Sequence, residues 1–232
     1  MFWSNSLKTL VIIPAYNEEE SLVNTVESLK STAPDVDFII VNDGSSDATS
    51  DLCREMHYPF LDLPINLGLA GAFQAGMKYA YRHHYDCAIQ FDADGQHRPE
   101  FIEELSRQTK EYDVVIGSRF IEAKKPFSLR MMGSWIIEKA ILITTGATIR
   151  DPTSGMRAFN ADMIKQLALG LNFGPEPDTM SFLIRQRGAR IVEIPANMQE
   201  RLAGESYLNV SNSISYMIRM TTSILFIQFF RK

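Results

Sequence analysis

Short apolar runs alternate with amphipathic segments over the first half of the chain. The runs are short and end at polar turns, as buried strands do, while apolar residues in the segments between them recur at helical spacing. The predicted strands cover residues 9–14, 37–43, 60–63, 87–94 and 113–118, and the predicted helices cover residues 18–30, 47–56, 70–84 and 99–110. This alternation predicts an α/β fold with a doubly wound, mainly parallel sheet that is flanked by helices.

The alternation weakens after Phe120. The later predicted elements are an apolar helix at 132–145, a turn and short strand at 151–159, helices near 160–168 and 178–188, and a strand at 190–195. We find no internal repeat and no low-complexity linker, so we expect one domain over residues 1–206 with an appendage at 207–232.

The appendage has the pattern of an amphipathic C-terminal helix. One helical face carries Val210, Ile214, Met217, Ile218, Thr221 and Leu225, while Ser211, Ser215, Arg219 and Thr222 lie off it. Arg231 and Lys232 follow an apolar end. This pattern predicts either a helix in the membrane interface or a helix that docks on its own domain or on a partner.

Composition narrows the class of protein. The chain has 232 residues, 45% of them apolar, and a net charge of -5 without a long basic block, so binding to nucleic acid is not expected. Cys53 and Cys87 are the only cysteines, which argues against a disulfide framework or a cysteine zinc site and fits a reducing cytoplasm. We also find neither a secretory signal nor an apolar run of about 18 residues, so an intracellular chain without a spanning helix is expected.

Three polar clusters follow predicted strands. They are "PAYNEEE" after the first strand, "NDGSSD" after the second and "DADGQ" after the fourth. In open parallel sheets ligands bind beyond the carboxyl ends of the strands, so we expect the functional site at this edge.

The cluster "DADGQ" has the chemistry of a divalent-cation site. Mg²⁺ and Mn²⁺ prefer oxygen ligands and commonly bind one or two carboxylates together with phosphate oxygens of the substrate. Asp94 and Gln96 could hold such an ion on a diphosphate, and Asp92 could face a ribose or a metal-bound water. The structural alternative is that Gly95 makes a turn and Asp94 caps the helix that Pro99 opens.

The second cluster places Asp43 at the end of an apolar strand. A carboxylate there could accept hydrogen bonds from the N–H groups of a nucleobase. The neighbouring residues also allow a structural interpretation, with Gly44 in a tight turn and Ser45 or Ser46 as a helix N-cap.

The first cluster offers further candidates for base binding in Tyr16, Asn17 and Glu18, while Glu19 and Glu20 are typical acids of a first helical turn. The glycines of "NLGLAGAFQAG" do not form the dinucleotide fingerprint and could instead permit close helix packing. A nicotinamide cofactor is therefore disfavoured.

In this order the motifs resemble those of family-two glycosyltransferases with the GT-A fold, a Rossmann-like nucleotide-sugar-binding architecture. The matching stretches are "VIIPAYNEEESL", "IIVNDGSSDAT", "NLGLAGAFQAG", "FDADGQHRPEFI", "VIGSRF" and "DPTSGMRAF", from about residue 10 to 160. Within the family the chain is most similar to enzymes that make polyprenyl-phosphate sugars, such as dolichol-phosphate mannose synthases. The resemblance implies inverting, metal-dependent transfer of a hexose or N-acetylhexosamine from a UDP- or GDP-sugar to polyprenyl phosphate.

The resemblance also implies roles for single residues on the donor side. Pro14, Tyr16, Glu18 and Asp43 would contact the nucleoside, and Asp92 would lie near the ribose. Asp94 and Gln96 would coordinate Mg²⁺ or Mn²⁺ on the diphosphate, and Arg201 would meet the donor.

On the acceptor side the resemblance assigns Arg119 and Arg130 to the acceptor phosphate, and Asp151 and Ser154 to the floor of the sugar or acceptor pocket. Lys124 and Lys125 join the two arginines in a local positive cluster, which favours a phosphate acceptor; the alternative is a solvated loop.

Two rival functions stay open at this point. A glycosyltransferase with a hydroxyl acceptor would need a general base, for which Glu176 or Asp178 is the candidate, whereas for a phosphate acceptor the same segment lines the pocket. A scaffold that binds nucleotide sugars without catalysis is the other rival. The resemblance implies a peripheral position on the cytoplasmic face of the membrane, and it leaves a small integral membrane protein and a homo-oligomer open as partners.

Overall fold

The computed structural model describes residues 7–170, 173–199 and 210–226. Within these residues the strands are β1 Thr9–Ala15, β2 Asp37–Asn42, β3 Phe60–Asp62, β4 Cys87–Gln90, β5 Val114–Ser118, β6 Arg157–Asn160 and β7 Ile191–Pro195. The helices are α1 Leu22–Thr32, α2 Thr49–Glu55, α3 Gly68–Arg82, α4 Ile102–Gln108, α5 Leu129–Thr145, α6 Ala161–Leu169, α7 Pro177–Arg187 and α8 Val210–Leu225. A 3₁₀ turn, Pro99–Phe101, leads into α4.

The strands form one sheet in the order β3-β2-β1-β4-β6-β5-β7. β6 is antiparallel to both β4 and β5, and all the other pairs are parallel. The predicted α/β fold with a mainly parallel sheet is therefore confirmed. Because β6 is antiparallel to both of its neighbours, β4 and β5 run in the same direction and their carboxyl ends reach the same edge of the sheet.

Both faces of the sheet are covered. Along β1, Leu10 and Ile12 point into a core that contains Phe73 of α3, while Val11 and Ile13 point into a second core on the opposite face. All four β1 side chains are buried, which explains why the strand reads as a continuous apolar run rather than an alternating one.

Two errors in the predicted boundaries bear on the site. The predicted first helix begins at residue 18, but α1 begins at Leu22, because Asn17 has a positive φ of 55° and the chain turns before entering the helix. The predicted fourth strand runs to residue 94, but β4 ends at Gln90. The Phe91 N–H still bonds to Ile12 of β1, whereas the Asp92 N–H leaves the sheet and bonds to His97.

α8 packs on α5 and α7 of its own chain. Met220, Ser223 and Ile224 are buried at this contact, and the Ser223 hydroxyl donates to Asp178 Oδ2 at 2.7 Å. Ile218, which we placed on the apolar face, is exposed. The buried face of α8 therefore docks on its own domain, as one of the two alternatives predicted. The domain boundary at residue 206 stays a prediction.

Candidate active site

The first two polar clusters lie side by side at the carboxyl edge and are joined by hydrogen bonds. The Asn17 N–H donates to Ser45 Oγ at 3.0 Å, and Asn17 Oδ1 accepts from the Ser46 N–H at 2.9 Å. Glu19 Oε2 accepts from the Ala48 N–H at 2.8 Å, just before α2. The expected serine N-cap is wrong because Ala48 precedes α2, and the placement of Glu19 and Glu20 in a first helical turn is wrong because α1 begins at Leu22. The bonded side chains fix the two turns against each other instead.

Asp43 is buried at the end of β2. Its Oδ1 accepts from the Leu67 N–H at 2.8 Å, which ties it to the loop before α3. The following Gly44 has a φ of 66°, and a Cβ there would lie 2.6 Å from the backbone carbon of Ile65. Close approach of this loop to the strand end therefore requires glycine.

The other predicted nucleoside contacts lie at the end of β1. Tyr16 is half exposed, Pro14 is partly buried, and Glu18 Oε2 accepts from the Ser21 hydroxyl at 2.6 Å within the same turn. The structure brings these residues to the edge that also holds Asp43. Their contact with a nucleoside stays a prediction.

The turn after β4 holds the predicted metal residues. Asp94 is buried, and its Oδ1 accepts from the Gln96 N–H at 3.0 Å across Gly95, whose φ is 77°. The predicted turn at Gly95 is present, but Arg98, not Asp94, occupies the N-cap position before Pro99.

Contacts from two other segments brace this turn. The Thr25 hydroxyl of α1 donates to the Ala93 carbonyl at 2.9 Å. The Gln199 N–H donates to the Gln96 carbonyl at 2.9 Å. The segment after β7 thus runs directly beside the turn.

The donor chemistry of this turn fits a hard divalent cation. Asp94 and Gln96 supply carboxylate and amide oxygens, the ligand type that Mg²⁺ and Mn²⁺ prefer. Within the described ranges no group of three or more histidine, cysteine or acidic side chains could hold a metal ion. Mg²⁺ in proteins commonly binds through one or two side-chain oxygens and completes its coordination with water and substrate phosphate oxygens.

Asp151 and Arg119 form a tightly bonded pair where β5 ends. Arg119 donates to Asp151 Oδ2 from its Nε at 2.8 Å and from its backbone N–H at 3.0 Å, and its Nη2 donates to Oδ1 at 2.7 Å. Glu193 of β7 accepts the N–H groups of Arg150 and Asp151, each at 2.7 Å. Since Asp151 is fully buried and bonded to the guanidinium, we interpret it as the residue that orients Arg119.

Ser154, which we assigned to the pocket floor with Asp151, is also buried. Its hydroxyl donates to the Gly117 carbonyl of β5 at 2.5 Å. It therefore holds the loop before β6 against the end of β5.

The predicted positive cluster is partly neutralised. Lys125 is largely buried and pairs with Glu138 Oε2 of α5 at 2.9 Å, just as Arg119 pairs with Asp151. Lys124 is exposed. The side chain of Arg130 and the whole of Arg201 lie outside the described residues.

Comparison with known proteins identifies the family. Residues 10–168 match the family model for Glycosyl transferase family 2. The chain belongs to this family.

Two relatives and one solved structure illustrate the match. The chain is 34% identical to an undecaprenyl-phosphate mannosyltransferase of Micrococcus luteus, over 88% of each chain. It is 29% identical to a polyprenol monophosphomannose synthase of Mycolicibacterium smegmatis, over 92% of this chain and 85% of that one. Glucosyl-3-phosphoglycerate synthase of Mycobacterium tuberculosis, in complex with Mn²⁺, UDP-glucose and phosphoglyceric acid, superposes with a TM-score of 0.71 at 15% identity, covering 97% of this chain and 81% of that one. The predicted GT-A fold and the assignment as a glycosyltransferase are both confirmed.

Hydrogen bonds hold the acidic segment at the start of α7 of this glycosyltransferase. Asp178 Oδ2 accepts from Ser223 of α8, and the carbonyl of Glu176 accepts the Thr179 N–H at the start of α7. The Ser223 bond favours a structural role for Asp178. A backbone bond does not bear on the carboxylate of Glu176, so its assignment as a general base or as pocket lining stays a prediction.

Arg157, at the start of β6, was missed by the sequence analysis. It is the largest fully buried side chain in the described residues, and it donates from Nη1 to the Pro175 carbonyl and from Nη2 to the Pro152 carbonyl at 2.6 Å. Burial lowers the pKa of its guanidinium. Arg157 thereby ties the loop before β6 to the segment before α7. Pro175 lies outside the motif that contains Arg157, so no local pattern could signal this contact.

Proposed function

We propose that this glycosyltransferase transfers a hexose or N-acetylhexosamine from a UDP- or GDP-sugar to polyprenyl phosphate with inversion at the anomeric carbon. The observation that carries the proposal is the placement of Arg119, oriented by buried Asp151 at the end of β5, on the edge that holds the Asp94 turn after β4. The Arg119 guanidinium and a turn whose side chains could hold a metal ion on a diphosphate would together suit an anionic acceptor. The relatives named for undecaprenyl-phosphate mannosyl transfer and polyprenol monophosphomannose synthesis support the same acceptor class.

The residues divide the chemistry between the two substrates. Asp94 and Gln96 would hold Mg²⁺ or Mn²⁺, which when bound neutralises charge on the leaving diphosphate. Arg119 would hold the acceptor phosphate so that one of its oxygens faces the anomeric carbon. That oxygen is already anionic, so the reaction needs positioning and charge neutralisation rather than a general base.

Mass spectrometry of the products tests the proposal. Purified protein is incubated with Mg²⁺ or Mn²⁺, a short-chain polyprenyl phosphate and a panel of UDP- and GDP-sugars. We expect a polyprenyl-phosphate sugar that disappears in Asp94→Asn and persists in Glu100→Gln, whose exposed carboxylate pairs with Arg98. Donor hydrolysis without a lipid product, or transfer to a sugar hydroxyl instead, would contradict it.

We propose further that the enzyme lies peripherally on the cytoplasmic face of the membrane. None of the described helices is long and apolar enough to cross a bilayer. Two packed helices carry exposed apolar side chains, which we call the apolar strip: Met132, Trp135, Ile136 and Ile143 of α5, Ile218 of α8 and Phe226 just beyond the end of α8. Exposed Lys139 and Arg219 lie on the same helices, and cations beside apolar side chains are typical of surfaces that bind anionic lipids.

A further inference from the structure

His97 is a buried side chain that contacts Asp92 at two points. Its Nδ1 accepts the Asp92 backbone N–H at 2.8 Å, and its Nε2 lies 3.4 Å from Asp92 Oδ2. The ring also packs edge-on against Phe91, with centroids 5.4 Å apart. Because the Asp92 N–H is a donor, Nδ1 must be the acceptor, and the neutral ring then carries its hydrogen on Nε2, on the side of the carboxylate.

Other residues close in on the same carboxylate. Gln90 Nε2 donates to Asp92 Oδ1 at 3.3 Å. Gly155 lies beside the other carboxylate oxygen, and a Cβ there would lie 2.5 Å from Asp92 Oδ2 and 3.1 Å from His97 Cε1. The carboxylate is therefore enclosed by β4, by the turn that follows it and by the loop before β6, and a third of its side chain stays exposed at the carboxyl edge.

We infer that His97 is a positioning residue that fixes the Asp92 carboxylate for the ribose of the donor nucleotide. The inference rests on the proposed function, in which Asp92 meets the ribose. The backbone bond to Nδ1 holds the turn, and the Nε2 side of the ring limits where the carboxylate can point. The two contacts use different ring atoms and can therefore be separated by substitution.

His97→Asn separates the two contacts with Asp92. The amide oxygen of asparagine takes roughly the place of Nδ1, while nothing replaces Nε2. The test is isothermal titration calorimetry with UDP, GDP and their 2′-deoxy and 3′-deoxy forms, on the full chain with Mn²⁺. We expect the wild type to prefer the ribonucleotide, and a folded His97→Asn to lose about tenfold of that preference. His97→Gln, whose amide reaches toward the Nε2 position, should keep more of the preference.

Gly155→Ala gives an independent route to the same displacement. Its Cβ would lie 2.5 Å from Asp92 Oδ2 and 3.1 Å from His97 Cε1, so the carboxylate must shift and the ring must yield slightly although both His97 nitrogens are kept. The ribose preference should therefore fall even if His97→Asn fails to fold. A wild-type preference retained in a folded His97→Asn or Gly155→Ala, or a wild type that binds a nucleotide without preferring ribose, would overturn the inference. A wild type that binds neither nucleotide would overturn the proposed function itself.

Discussion

At the scale of single residues, Arg119 and Asp151 form a buried pair at the proposed acceptor-phosphate site. Asp151 is fully buried and accepts three hydrogen bonds from Arg119, two of them side by side from the guanidinium. Breaking a buried pair leaves the remaining charge uncompensated, which costs far more than losing an exposed pair. The geometry of Arg119 should therefore depend on Asp151.

We predict that Asp151→Asn weakens use of the lipid acceptor. The amide keeps the shape of the carboxylate but loses its charge and one acceptor, so Arg119 is no longer held in one orientation. We expect kcat/KM for polyprenyl phosphate to fall roughly 10- to 100-fold, while the KM for the nucleotide sugar changes little. Steady-state kinetics with each substrate varied in turn measures both.

Glu104→Gln is the matched control, because it breaks an exposed ion pair with Arg107 on α4. We expect wild-type kinetics from it. Equal loss for donor and acceptor in Asp151→Asn would mean that the pair supports the whole site and not Arg119 in particular.

The residues that the sequence predicted and those that it missed differ in where their partners lie. Asp43 and Asp94 could be placed because each follows an apolar run, and the ends of parallel strands share an edge. Glu193 acts on the backbone of Arg150, 43 residues earlier in the chain, and Arg157 bonds to a carbonyl 18 residues away. Such contacts leave no local spacing in the sequence, so only the fold brings them into view.

At the scale of elements, glycines set how closely helices approach their neighbours. A Cβ on Gly76 of α3 would overlap Ile12 Cγ2 of β1, and a Cβ on Gly133 of α5 would lie 2.5 Å from Met217 Cγ of α8. The expectation that glycines of "NLGLAGAFQAG" permit close packing holds for Gly76. The two neighbours differ in stiffness, because isoleucine is branched at Cβ and methionine is unbranched.

We predict that Gly76→Ala destabilises the protein more than Gly133→Ala does. Both substitutions gain about 1 kcal/mol of helix propensity, so the difference reports on the neighbouring side chain. Buried Ile12 cannot move aside, and overpacking there should lower the free energy of unfolding by about 1–3 kcal/mol. Met217 can adopt another rotamer, so Gly133→Ala should change it by less than about 1 kcal/mol. Urea unfolding of the two variants checks this, and equal losses would contradict it.

The elements themselves were largely predictable, whereas their directions and ends were not. The period of apolar residues marks a strand or a helix, but the antiparallel direction of β6 depends on the path of the chain through α5. α5 begins earlier than predicted because the Ser128 hydroxyl accepts the Met131 N–H at 3.2 Å and caps it.

At the scale of the whole molecule, one short stretch of chain connects the proposed acceptor site to the apolar strip. Arg119 follows β5, and α5 begins ten residues later at Leu129. Lys125 holds this stretch against α5 through Glu138 and Ser134. A lipid whose phosphate lies at Arg119 could therefore leave its chain along the exposed face of α5.

We predict that this strip, rather than α8 alone, binds the membrane. Replacing Trp135 and Ile143 with glutamate removes two exposed apolar side chains, each worth about 1.5–3 kcal/mol when buried in lipid, and adds charges that anionic lipids repel. Flotation measures the partition coefficient of the full-length chain between phosphatidylglycerol vesicles and water. We expect this coefficient to fall at least about 100-fold for Trp135→Glu/Ile143→Glu. Leu169→Glu, at an equally exposed apolar position on α6, should float like the wild type.

Transfer to a lipid acceptor in vesicles should fall with flotation, whereas donor hydrolysis in solution should not. Wild-type flotation of the double variant would show that the strip does not carry the membrane contact.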